Sequence, residues 1–449
     1  MSVDSGTQPA GLLSRPYALT TVGAWSLVFL AAFESLAVTT VMPIVTIDLD
    51  GRGLYALAFS ATLAAGVVGM VAIGSWADRR GPAVPLFTAI AVFAVGLAVA
   101  GTAVSMPVFV AARFLQGLGA GGMTVALYVL VAMVYPASLH IRIFGAFASA
   151  WVLPSMVGPF AAGFVAEALS WHWVFLGVVA LVAVAGALML PAVRGRDRAR
   201  ADRVPASAAD ARRVAEAAVV AVGVVALSSL GELDAGYAWL LAPVAAGAIG
   251  LALRHLVPPG TYRIRAGLPA TVMLCGVAGG VFFGTEVYLP LLLHDRYGLP
   301  TWLSGVTLTA GAIAWALASA VQGRLGDRLD PGTAIRAGAA LLAGGAALEL
   351  ATAVLHLHPV LAAVGWFAAG AGMGTLYPRI STLVLAFSVP GEEGFNTAAK
   401  SISDAVGGSA ALAISGLLFT AAPFVGPFAF TTLLGVATVL VAHRVARSR

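Results

Sequence analysis

The chain has 449 residues, 60% of them hydrophobic and 10% charged, with a mean hydropathy of +0.95. Soluble domains carry about 25% charged residues, so this composition excludes a soluble enzyme or binding module over most of the length and places the chain in lipid. The net charge of +5 does not point to nucleic acid, because the arginines are dispersed in short loops, and the single cysteine, Cys275, excludes an intrachain disulfide or a cysteine-based metal cluster.

A spanning helix needs roughly 20 apolar residues. In that unit the chain predicts spans at 18–43, 54–77, 83–104, 106–135, 140–166 and 172–193, then 214–231 and 237–256, then 267–293, 301–322, 333–355, 359–388, 394–420 and 422–443. These divide the chain into a short tail (1–16), a six-helix bundle (17–194), an arginine-rich linker with two additional transmembrane helices (195–265), a second six-helix bundle (266–444) and a second tail (445–449). No cleavage site follows the first apolar stretch, which reads as a retained helix. Arg15, Arg79, Arg80, Arg142, the cluster from Arg194 to Arg213, Arg254, Arg263, Arg265, Arg324, Arg328, Arg336, Arg444, Arg447 and Arg449 fall on one side of this pattern, whereas the other has mainly Asp48, Asp50, Arg52, Glu232, Asp234, Asp295 and Arg296. Basic loops stay in the cytoplasm, so both tails are expected there.

The chain also repeats itself. Gly74-Ser-Trp-Ala-Asp78-Arg79-Arg-Gly81 returns 249 residues later as Gly323-Arg-Leu-Gly-Asp327-Arg328-Leu-Asp330. At the same offset Tyr128 matches Tyr377 and Gly158 matches Gly407; with four more residues Gly117, Gly119 and Gly121 match Gly370, Gly372 and Gly374. A six-helix unit is duplicated, with an extra helix pair between the copies.

The pattern G-x-x-x-D-R-x-G resembles the loop signature between the second and third helices of the major facilitator superfamily. The resemblance implies a cytoplasmic gate formed by Gly74, Asp78, Arg79 and Gly81, with Arg142 as a partner for Asp78 and with Asp327 and Arg328 in the degenerate copy. Pro82 and Ala83 stand where the family carries basic residues. Arg113-x-x-x-Gly117 resembles the family's fourth-helix motif, whose arginine is implicated in proton transfer. The formal G-x-G-x-x-G beginning at Gly117 lies inside an apolar span, not between a strand and a helix, so it is not a dinucleotide site; Gly117 and Gly121 are read as close-packing residues. Pro154, Gly158, Pro159 and Gly163 resemble the fifth-helix motif of drug–proton antiporters, and Phe33-Glu34 through Pro43 resembles the first-helix motif of the fourteen-helix members.

The remaining polar residues in predicted spans are candidates on cost alone, since a bare charge at mid-membrane costs about 2.5–3.5 kcal/mol or more. Glu34 and Arg113 are expected roughly 13 Å and 10 Å below the same surface, at about 1.5 Å per residue, so they can meet. Asn396, Lys400 and Asp404 share one span, and Lys400 and Asp404 are spaced to pair directly. The proton-coupling candidates are therefore Glu34, Arg113 and Asp404; Tyr128, Tyr377, Arg379, Asn396 and Lys400 are candidates for the substrate cavity. Glu286 and Glu349, near span ends, are expected to reach water, and the two added helices are expected to be peripheral. No phosphate-binding loop for ATP and no histidine–carboxylate metal spacing occurs, so neither a metal nor a cofactor is expected.

The expectation is an all-α membrane protein with the major facilitator fold: two six-helix bundles plus two helices between them, in a bacterial inner membrane. It is expected to act as a monomer, exporting drugs or amphipathic small molecules against protons by alternating access, with the lipid bilayer and no nucleic acid as partner. A family member with another cargo, such as a lipid, siderophore or metabolite, or an importer, stays open. A membrane enzyme would need a nucleophile, acid and base at one depth, which the spans do not provide. The topology is checked with single cysteines at Ser5 and Ser448 in a Cys275→Ala background: both should resist an impermeant thiol reagent added outside intact cells, and labelling of either reverses the orientation.

Overall fold

The computed structural model describes residues 11–15, 17–193, 208–230, 235–325, 330–389 and 393–446. Among them the chain forms fourteen α-helices and no strand. The first bundle holds α1 (Ala18–Asp48), α2 (Tyr55–Arg80), α3 (Ala83–Gly101), α4 (Met106–Val134), α5 (Ala137–Ala168) and α6 (His172–Val193). Then come α7 (Ala208–Ser229) and α8 (Ala235–Leu253), followed by α9 (Leu268–Tyr297), α10 (Thr301–Leu325), α11 (Pro331–Leu355), α12 (Val360–Ala386), α13 (Glu393–Ala421) and α14 (Val425–Ala446). Lipid offers no hydrogen-bond partner, so a spanning segment must satisfy its backbone internally, which a helix does. Twelve of these helices are long and apolar enough to cross a membrane; α7 begins with charged residues, and the apolar part of α8 is the shorter Leu240–Leu253.

Helix boundaries show where lipid overrides the usual breakers. α1 continues past Pro43 to Asp48, and the Thr46 hydroxyl donates to the Met42 and Pro43 carbonyls, each at 3.0 Å. α2 ends at Gly81, whose φ of +81° suits glycine and turns the chain into α3. The membrane surface that carries this turn is called the turn face here, and the opposite surface the far face.

Each bundle is assembled on the same glycine triplet. A side chain at Gly117 would collide with the Thr62 carbonyl of α2, one at Gly121 with Gly66 of α2, and one at Gly119 with Phe93 of α3. In the second bundle Gly370 and Gly374 press on Gly311 and Trp315 of α10, and Gly372 on Leu342 of α11. Without a hydrophobic drive between helices in lipid, such close backbone approach supplies the packing energy. Between bundles, α5 packs on α10 and α2 on α13. A Cβ at Gly163 would stand 2.8 Å from Trp302 Cα, and one at Gly305 2.6 Å from the Pro159 carbonyl oxygen.

The expectation of a peripheral added pair is corrected for α7. This helix fills the groove between the bundles, burying Ala217, Val220, Val224 and Leu227 with Ala64 and Val67 of α2 and Ile402, Val406 and Ala413 of α13. Its Ser228 hydroxyl lies 2.7 Å from that of Ser60 on α2. Only α8, stacked on α7, is on the outside. At the turn face Glu216 ties the pair together, 2.9 Å from Arg212 and 2.9 Å from His255. The surfaces α7 covers bury this apolar cluster, which lipid tails can cover in its place at modest cost. Deleting residues 215–256 with a flexible linker retained should therefore leave measurable transport in a correctly inserted protein; complete loss would place the pair in the transport cycle itself.

Candidate functional site

The central site is built by α1 and α4. Arg113 sits seven residues into α4, one turn before the first of the close-packed glycines, and Glu34 lies near the middle of α1. The Arg113 guanidinium donates to the Glu34 carboxylate and to the Gln116 amide oxygen, all within the protein: the three residues are 2%, 4% and 0% exposed. Burial this complete leaves an isolated charge no water, so the pair is what makes either residue affordable in the span. Arg113 Nε and Gln116 Nε2 keep unused donors, so the guanidinium's five donors are not exhausted by Glu34. Phe33, next to Glu34, touches the site of Gly158 on α5 at 3.4 Å. The cluster is thus linked through α1 to α5, and through Gly163 and Pro159 of α5 to α10 of the other bundle. Pro154, Gly158 and Pro159 all lie within the unbroken α5.

A second polar cluster lies where α9, α10, α12 and α13 converge. Lys400 and Asp404 do not pair directly as expected; Tyr377 of α12 stands between them. Its hydroxyl donates to Asp404 Oδ2 at 2.7 Å, and Lys400 Nζ sits 3.9 Å from its ring centroid. The other carboxylate oxygen, Oδ1, is buried against the backbone at Gly279 without a partner. Arg379 donates to Gln322 of α10 at 2.7 Å, which places it within its own bundle, and Asn396 donates to Ser388 at 3.0 Å. Tyr128 stacks on Phe147 of α5, meets Phe144 edge-on and is half exposed. The expectation that Glu286 and Glu349 reach water is corrected: they are 7% and 0% exposed, and neither Glu349 oxygen has a hydrogen-bond partner.

At the turn, Gly74 faces Val125 of α4, Arg79 donates to the Ser75 carbonyl at 2.9 Å and Arg142 is exposed. The Asp78 side chain, and Asp327 and Arg328 entirely, lie outside the described residues. Among the described residues, no group of three potential metal ligands occurs.

The polar contacts that join the two bundles, among the described residues, gather toward the far face. Arg52 meets Asp295 at 3.2 Å, and the Tyr55 hydroxyl donates to the Val287 carbonyl at 2.6 Å. Glu167, at the end of α5, accepts from the backbone N–H groups of Thr301 and Trp302 at 2.8 and 3.4 Å, capping α10 from the opposite bundle. A carboxylate there satisfies otherwise unpaired donors and faces the positive end of the helix dipole. Tyr55 and Tyr288 seal the same level with ring centroids 5.8 Å apart.

Sequence reasoning missed Gln116, Gln322 and Glu167. Gln116 was within reach of helical spacing, three residues after Arg113. Glu167 had no local signal, because the donors it caps belong to a helix 134 residues away.

Comparison with known proteins agrees with the duplicated bundle. A family model described as Major Facilitator Superfamily matches residues 24–357. The MFS efflux transporter aclA of Aspergillus oryzae is 31% identical over 62% of this chain, which spans only 53% of that relative. The protein named probable multidrug-efflux transporter Rv1634 of Mycobacterium tuberculosis is 26% identical over 92% of this chain and 89% of its own length. A POT family transporter solved with 5-aminolevulinic acid shares the fold at a TM-score of 0.69, with 14% identity and 96% of each chain covered.

Glu167→Gln should loosen the far-face closure by about 1 kcal/mol or less, roughly a two- to fivefold rise in the population open on that side. The readout is the labelling rate of a cysteine at Ala56, buried beneath the closure, in a Cys275→Ala background. An unchanged rate removes Glu167 from the gate.

Proposed function

Since the chain belongs to the Major Facilitator Superfamily and is a multi-pass membrane transporter of small molecules, we propose that it is a proton-coupled exporter of drug-like or amphipathic molecules, working by alternating access. The observation that carries the coupling is the sealed Glu34–Arg113 pair, with Gln116 beside it, in the middle of the first bundle. The export direction rests on likeness to relatives named as efflux transporters.

In this reading the turn face is cytoplasmic and the described conformation is closed toward the outside, a reading supported by the cross-bundle contacts at the far face. A proton reaching Glu34 removes one charge of the pair, and Arg113 then holds α1 less firmly against α4. Because Phe33 lies against α5 and α5 lies against α10, a shift of α1 reaches the seam that must rearrange for the outer side to open. Cargo binds between the bundles, near the midplane, as in other transporters built on repeats. Tyr128, Tyr377, Arg379, Asn396 and Lys400 are the candidates on its walls, with Asp404 the second proton-carrying candidate. The turn residues Gly74, Asp78, Arg79 and Gly81, with Arg142, Asp327 and Arg328, form the cytoplasmic latch in this scheme.

The test is substrate-driven proton movement in proteoliposomes. Glu34→Gln should remove most of the proton flux that accompanies cargo, leaving at most slow uncoupled movement. Coupling at the wild-type ratio in that variant rules out Glu34 as carrier. If Asp404→Asn also couples normally, the antiport scheme is wrong in its residues.

A further inference from the structure

Lys400 is the only lysine in the chain, and it stands in a membrane-spanning helix where, among the described residues, it forms no direct ion pair; the Asp404 carboxylate one turn on is turned to Tyr377 instead. It lies seven residues from the turn-face end of α13, at a depth of roughly 10 Å for a rise of about 1.5 Å per residue. Among the described residues, the contact its ammonium makes is with the face of Tyr377, at 3.9 Å. An ammonium carries three hydrogen-bond donors, and an aromatic face satisfies none of them as an oxygen would. A charge held in a span on those terms needs an anion or water, and the default reading of such a residue is functional.

The neighbouring groups decide which kind of ligand fits. Asp404 lies deeper on the same helix, its Oδ2 bonded to Tyr377 and its Oδ1 sealed against α9 at Gly279. Lys400, by contrast, keeps a small accessible surface, at 9% exposure, and its Nζ is not among the fully sealed, unpartnered polar atoms. The first charge that cargo coming from the turn face meets on this wall is therefore positive. Tyr377 and the half-buried Trp315, with ring centroids 5.7 Å apart, give the wall an aromatic surface beside that charge. The Tyr377–Asp404 hydrogen bond fixes the ring, and with it the position of the ammonium.

From this geometry we infer that Lys400 anchors an anionic group of the cargo, a carboxylate, while Tyr377 and Trp315 hold its aromatic body. The inference rests on the exporter reading and narrows it: the protein takes aromatic acids or zwitterions, not solely lipophilic cations. Asp404, whether or not it also carries a proton, positions the Tyr377–Lys400 pair through its hydrogen bond to Tyr377.

The test is equilibrium binding by titration calorimetry on the full-length purified protein, with 2-naphthoate and its uncharged isostere 2-naphthamide. Wild type should bind the acid about tenfold or more tightly than the amide, the difference expected for one charge-assisted hydrogen bond. Lys400→Gln should abolish that preference by weakening the acid alone, and Lys400→Arg should restore it within a few-fold. Equal affinity of wild type for acid and amide, or an unchanged preference in Lys400→Gln, overturns the inference; the wild-type comparison stands even if a variant fails to fold. The exporter reading is judged separately, from proton movement driven by the cationic dye rhodamine 6G in proteoliposomes. Coupled movement of the dye together with equal binding of acid and amide rejects the anion anchor and leaves the exporter.

Discussion

A charge inside hydrocarbon has to find its counter-charge within the protein, and the Glu34–Arg113 pair is where this chain meets that demand most completely. Neither residue could occupy its helix alone. The pair fixes the facing of α1 and α4, and α4 is held at the required distance by the glycines that bring it onto α2 and α3. Loss of either component would leave a buried charge unpaired, which is far costlier than never having had the pair. A proton arriving at Glu34 would cancel one partner of the pair without removing any atom from the packing.

The two bundles share a packing plan but differ in their polar chemistry. Gly117, Gly119 and Gly121 and their counterparts Gly370, Gly372 and Gly374 make equivalent contacts with the second and third helices of each bundle. The polar groups follow no such symmetry. The first bundle holds one sealed ion pair, whereas the second spreads its charges over Lys400, Tyr377 and Asp404, with an aromatic ring between the ionic groups. A duplicated scaffold with unlike polar centres separates two tasks, one for a charge that must be hidden and one for a charge left within reach of a ligand.

Much of this was legible in the sequence because lipid simplifies the code. Long apolar runs reported helix number and type, and the helix ends moved by a few residues where Pro43 failed to stop α1. The meeting of Glu34 and Arg113 could be anticipated from depth alone, since two helices crossing one slab put residues of equal depth at equal height. Contacts set by the azimuth of a helix could not be read that way. Lys400 and Asp404 have the spacing of a direct pair, yet Tyr377 from another helix enters between them. Glu349 sits close to a helix end and is still covered, because α12 packs over it. The seat of α7 was hidden for the same reason: its few polar residues suggested a lipid-facing helix, and an apolar surface in a membrane does not say whether lipid or protein lies against it.

The position of α7 also breaks the symmetry of the molecule within the plane of the membrane. Two lateral seams separate the bundles, α2 against α13 and α5 against α10. The first is roofed by α7 along the surface formed by Val67, Val220, Val406 and Ala413, whereas no added helix of this chain, among the described residues, covers the second. A molecule dissolved among the lipid tails therefore meets two unequal flanks, one walled and one bare. In the plane of the membrane the protein therefore has a front and a back as seen by the lipid, with the α5–α10 flank the one left facing it.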